Sequence, residues 1–86
     1  MQKMPKFYFD VMENGQLTFD QDGLELEDAD RAHREAIKTI ADMAAEKIPL
    51  DGSLKLTVAV ADEKHRILFR TQVSYQPGKL EQRKLK

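Results

Sequence analysis

Between Asp20 and Asp30 the chain carries six carboxylates, Asp20, Asp22, Glu25, Glu27, Asp28 and Asp30, and no basic residue. Clustered oxygen donors are what a hard divalent cation such as calcium takes. The spacing is not that of a calcium loop between helices, because Gly23 comes too early relative to any carboxylate that could close the loop. The same residue types also make turns and cap helices. His33 and His65 have no neighbour at metal-ligand spacing, and Asp30 with His33 is an ordinary pair on one helical face. Ser53 and Ser74 lack the glycine pattern of a nucleophile elbow. Gly15, Gly23, Gly52 and Gly78 are scattered, so no phosphate-cradling loop is spelled out. With no cysteine there is no thiolate, no thiolate metal site and no disulfide framework. These residues imply no catalytic constellation, no cofactor and no resident metal, so the expectation is a protein that binds rather than catalyses.

Two surfaces could do the binding. One is the C-terminal tail, where Lys79, Arg83, Lys84 and Lys86 stand against the single acid Glu81 after Pro77-Gly78 ends all periodicity. Such a tail is expected to be mobile, and it could contact nucleic-acid phosphates or an acidic partner. Aromatic interleaving is absent from it, and the formal net charge of -1 with a pI near 6.1 argues against a generic polyanion binder. The other surface is a sheet face, which requires the elements that form it.

The stretch Asp28 to Ile48 is the one clear helix. Ala29, Ala32, Ala36, Ile40, Met43, Ala44 and Ile48 recur at helical spacing, with Ile37 and Ala41 widening the stripe. Asp28 suits the N-cap, Asp30 and Lys47 agree with the helix dipole, and Pro49 forbids continuation. The outward pairs Asp30 with Arg34, Arg31 with Glu35 and Lys38 with Asp42 read as solvated decoration.

Four strands flank this helix. Phe7, Phe9 and Val11 alternate onto one face, Asn14-Gly15 signals a tight hairpin, and Leu17 and Phe19 alternate on the return. Asp20-Gln21-Asp22-Gly23 reads as a second turn, from which Leu24 and Leu26 lead to the helix cap. After the loop around Gly52, the run Leu54 to Ala61 is the cleanest period-two pattern, and Arg66 to Tyr75 is its partner across Asp62-Glu63-Lys64-His65. The expected fold is α+β, a two-layer ββαββ domain over residues 1–76 with a basic tail at 77–86. Its four-stranded, mostly antiparallel sheet carries the helix on one face. The first and third strands are expected to be central neighbours. Alternation assigns Phe7, Phe9, Val11, Leu17, Phe19, Leu56, Val58, Val60, Ile67, Phe69 and Val73 to the helix side. It assigns Tyr8, Met12, Thr18, Thr57, Ala59, Ala61, Leu68 and Arg70 to the other side. That second set is less polar than a solvated sheet face usually is, so Tyr8, Met12, Thr18, Thr57, Ala59, Leu68 and Arg70 form the candidate interface. Tyr8 and Tyr75 could in principle stack bases, but packing is the simpler use.

At Met4-Pro5-Lys6-Phe7-Tyr8-Phe9-Asp10-Val11, Asp20-Gln21-Asp22-Gly23-Leu24-Glu25-Leu26 and Ala32-His33-Arg34-Glu35-Ala36 the chain resembles a family of small bacterial proteins of unknown function. Its members open M-P-x-Y-Y-F-D, turn at D-x-x-G-x-x-L and show A-x-x-E-A in the helix; Phe7 stands where tyrosine is usual. The resemblance spans roughly Met4 to Tyr75 and implies the ββαββ fold, no assigned activity, and Met4 as the usual start. A second resemblance, to the HicB-type antitoxin, implies a partner-binding role, although Leu24 to Asp28 lacks that family's proline-aspartate and glycine-cysteine signatures. The functional expectation is self-association or protein-partner binding, with nucleic-acid binding through the tail and sheet as the alternative. No membrane or small-molecule partner is implied. Asp10 interrupts the apolar run that a secretory leader would need and no stretch approaches a membrane span, so the expected location is the cytoplasm.

Overall fold

The computed structural model describes residues 4–47 and 52–76. Strands β1 (Lys6–Glu13), β2 (Gln16–Thr18) and β3 (Leu24–Glu25) precede helix α1 (Ala29–Lys47), and β4 (Leu54–Ala61) and β5 (Ile67–Tyr75) come after it. The sheet runs in the order β2-β1-β4-β5 with all pairs antiparallel, and the two-residue β3 pairs with β1 at Lys6 and Phe7. The first long strand and the strand after the helix are therefore central neighbours, as expected. Ile48 to Asp51 and the basic tail at 77–86 lie outside the described residues, as does the stop at Pro49.

The β1–β2 connection is the two-residue loop Asn14-Gly15, with φ of 49° and 88°. Positive φ at both positions is the twist that matches a right-handed hairpin, and Asn and Gly tolerate it best. Asn14 is also fastened to β4. Its backbone N–H donates to the Lys55 carbonyl at 2.9 Å, and its Oδ1 accepts from the Lys55 N–H at 2.8 Å.

A two-residue loop fixes the pairing as Glu13 with Gln16, Met12 with Leu17 and Val11 with Thr18. Cross-strand partners share a face. Leu17 therefore lies beside Met12 on the side away from the helix, and Thr18 lies beside Val11 on the helix side. This reverses the assignment from alternation alone for Leu17, Phe19 and Thr18. A second reversal occurs in β5. Phe69 pairs with Val60 but Ile67 pairs with Ala61, so Leu68 is an extra residue at a bulge and Ile67 joins the face away from the helix.

The core lies between α1 and the centre of the sheet. Ala32, Ala36, Ile40 and Ala44 are buried against Phe7, Leu54, Leu56, Val58 and Val60, with Phe9, Val11, Phe69, Val73 and Tyr75 packed around them. Alanine at three of the four buried helix positions lets the helix approach closely, and it rests mainly on β4 and β5. Ile37 and Ala41 are exposed, so the stripe is narrower than periodicity implied. The stripe widens instead toward His33, whose ring stacks on Phe69 at 4.2 Å and 3°. Asp28 caps the helix as expected, its Oδ1 accepting from the Arg31 N–H at 2.9 Å.

Gly15→Ala tests the turn geometry. A Cβ there meets nothing within 4 Å, so the cost is that of the left-handed backbone alone, about 1 kcal/mol in urea unfolding. Gly23→Ala combines a φ of +72° with a Cβ 3.0 Å from Tyr8 Cε1 and 2.8 Å from Lys6 Cγ, and is expected to cost more. Unfolding midpoints equal to that of the parent chain would contradict both.

Candidate functional site

With the helix on one face of the sheet, nothing among the described residues covers the other, open face. Its cross-strand rows are Tyr8–Ala61–Ile67, Asp10–Ala59–Arg70 and Met12–Thr57–Gln72, with Leu17 beside Met12. Of the candidate interface residues, Tyr8, Met12, Thr57, Ala59 and Arg70 are on this face. Thr18 is not, because its partner Val11 is on the helix side. Leu68 sits at the bulge without a cross-strand partner and is exposed. Alternation missed the most exposed members, Phe19 at 65%, Ile67 at 51% and Leu17 at 48%. The length of the Asn14-Gly15 turn was the signal that could have placed Leu17 and Phe19.

Two adjoining depressions mark this face. Asp10, Met12, Leu17, Phe19, Thr57, Ala59, Ile67 and Arg70 line one of them, of about 220 Å³. Tyr8, Asp10, Phe19, Asp20, Ala61, His65 and Ile67 contribute to the other. Asp10, Phe19 and Ile67 belong to both. Tyr8 and His65 are neighbours there, with ring centroids 5.4 Å apart.

The acid at the end of the groove is committed to backbone. Asp20 Oδ2 accepts from the Phe9 N–H at 3.1 Å, and Oδ1 accepts from the Asp22 and Gly23 N–H groups at 3.1 Å each. Its own N–H donates to Asp10 Oδ1 at 2.9 Å. Burial works against the charge on Asp20, but the Gly23, Phe9 and Asp22 N–H groups together outweigh it and hold the carboxyl below the usual range. One side chain thus replaces the strand pairing that β1 lacks between β2 and β3. The acidic stretch also supplies the cap at Asp28, and no group of His, Asp or Glu among the described residues is placed to hold a metal ion. In the β4–β5 turn, Asp62 accepts from the N–H groups of Lys64 and Arg66 and from Arg66 Nε at 2.9 Å each. The Arg66 N–H is the main reason that its carboxyl also lies low.

His33 is occupied by Phe69, and the carbonyl of Ser53 accepts from Asn14 Nδ2 at 3.5 Å. Ser74 pairs with Lys55 near the end of the sheet. Lys79, Arg83, Lys84 and Lys86 lie outside the described residues. The arrangement brings apolar surface, one aspartate and one arginine together on a sheet face, which suits contact with another protein surface.

The chain belongs to the family described as domain of unknown function DUF6894, whose model matches residues 6–74. Neither a curated protein nor a solved structure matches it. No helix among the described residues is long and apolar enough to cross a membrane.

The Asp20 network predicts a pH dependence of defined sign. Because the folded-state carboxyl lies below its ordinary value of 3.8, its contribution is fully present above about pH 5 and is lost as pH falls through the folded value. Asp20→Asn should flatten the acid limb of a stability-against-pH curve, measured by urea unfolding from pH 7 downward. An acid limb unchanged by the substitution would contradict the network.

Proposed function

We propose that this family member is a non-catalytic protein-docking domain whose binding surface is the open face of the sheet. The observation that supports it is the exposure of Phe19, Ile67 and Leu17 together on one face, around the groove over Thr57 and Ala59. Apolar side chains grouped in this way gain free energy when a partner removes them from water, at about 25 cal/mol per Å² of apolar surface. Scattered single residues would not carry this reading; residues that line one depression do. Asp20, in the adjoining depression, spends both oxygens on backbone N–H groups, which supports a structural role for that carboxylate. A bacterial cytoplasmic setting goes with this reading, on the strength of the sequence resemblance and a chain without cysteine.

Phe19→Ser and Ile67→Ser test it. Both side chains are exposed, so each substitution is expected to leave urea stability within about 0.5 kcal/mol of the parent. Each should abolish capture of a stoichiometric protein partner from nuclease-treated native lysate by the tagged full-length chain. Undiminished capture by both variants would overturn the assignment of the face. Recovery of nucleic acid that falls steeply with added salt would point to polyanion binding instead.

A further inference from the structure

We infer that the partner on the open face is a second copy of this chain, related by a two-fold axis that runs along β4. The inference rests on the docking reading above and specifies its occupant. It comes from how charge is distributed across one cross-strand row. Asp10, Ala59 and Arg70 stand side by side, so the acid and the base flank Ala59 at about 4.8 Å on either side. A two-fold axis lying along the strands above Ala59 exchanges the two flanks. Asp10 of each copy then lies over Arg70 of the other, and the contact is made twice. An axis across the strands would set Asp10 over Asp10 and Arg70 over Arg70, which like charges oppose.

Both groups are available for the exchange. Asp10 spends Oδ1 on the Asp20 N–H, and Arg70 makes no ion pair among the described residues. Stacked sheets sit about 10 Å apart, a gap that a short carboxylate and a long guanidinium side chain span between them. Thr57 and Ala59 under the axis leave room for the two pairs to lie over the strip. The same operation sets Tyr8 of each copy over Ile67 of the other and carries the β2 edge bearing Phe19 to about one strand spacing outside that flank. With β4 over β4, only β1, β4 and β5 overlap their counterparts, so the contact, with β4 eight residues long, measures about 26 by 14 Å. That footprint is small for a protein interface, so the dimer is expected to dissociate at about 10 µM rather than in the nanomolar range. The apolar contact supplies the affinity, and the charge pairs set orientation.

The test is sedimentation equilibrium of the full-length chain at about 200 µM, well above the expected dissociation constant. The parent should have twice the mass of one chain. Arg70→Asp sets carboxylates over Asp10, Asp10→Lys sets cations over Arg70, and each should weaken association about tenfold or more. Mixed in equal amounts, the two variants should associate with each other, because the mixture restores both opposite-charge contacts. Asp10→Lys also removes the acceptor of the Asp20 N–H, so unfolding curves accompany every sample. Ala59→Glu, which faces its own copy across the axis, gives a second disruption that leaves Asp10 intact. A monomeric parent overturns self-association, and leaves the docking face standing if the Phe19 and Ile67 variants still lose a partner. A dimer indifferent to both Arg70→Asp and Ala59→Glu has formed elsewhere and overturns this inference together with the face. Folded single variants that fail to associate on mixing overturn the Asp10–Arg70 contact.

Discussion

The two-residue turn at Asn14-Gly15 decides which way much of this domain's apolar surface points. Its length pairs Met12 with Leu17 and Val11 with Thr18, and a strand offers no intermediate register. One residue more in the loop would place Leu17 under the helix. The turn holds this length because Asn14 does two things at once. It takes the left-handed backbone the tight loop needs, and it exchanges hydrogen bonds with both backbone groups of Lys55. The hairpin tip is therefore fastened to the central strand, and Leu17 with Phe19 is turned outward as a consequence.

Past the turn the chain departs a second time from a plain meander. β2 ends at Thr18, and Asp20 folds back so that its carboxylate, not another strand residue, meets the Phe9 N–H. The chain then crosses to β3 with Gly23 in the left-handed region. This leaves Phe19 at the rim of the open face instead of within a strand. On the opposite side, the small residues of α1 seat it over β4 and β5. The helix satisfies the burial needs of the central strand, and nothing among the described residues covers the other face.

Much of this was legible from residue types. The helix limits near Asp28, the left-handed Gly23, the order of elements and the central pairing of β1 with β4 all stem from local chemistry or short-range pattern, and the structure bears them out. The open face was legible in Tyr8, Met12, Thr57, Ala59 and Arg70, which alternation places correctly. Alternation misplaces Leu17, Phe19 and Thr18 because turn length, not hydrophobicity, chooses the face of β2. Ile67 was misplaced because a bulge at Leu68 leaves no mark in an alternating pattern: Ile67 through Val73 reads as regular until its partner strand is known. The Asp20 network was hidden for a different reason. It joins residues eleven positions apart across an edge that exists only once β2 has stopped. Ile37 was overcounted because a stripe on a helix says nothing about which flank the sheet will meet.

The central proposal is that the open face is buried against a second copy of this chain. Backbone amide shifts of the full-length chain, followed by NMR on dilution from about 1 mM to about 1 µM, test it most directly, since that range brackets the expected dissociation constant. The account predicts concentration-dependent shifts that cluster at Tyr8 to Met12, Leu17 to Phe19, Thr57 to Ala61 and Ile67 to Gln72, while the amides of α1 hold still. Shifts confined to α1, or a spectrum that does not change across the dilution, would contradict it.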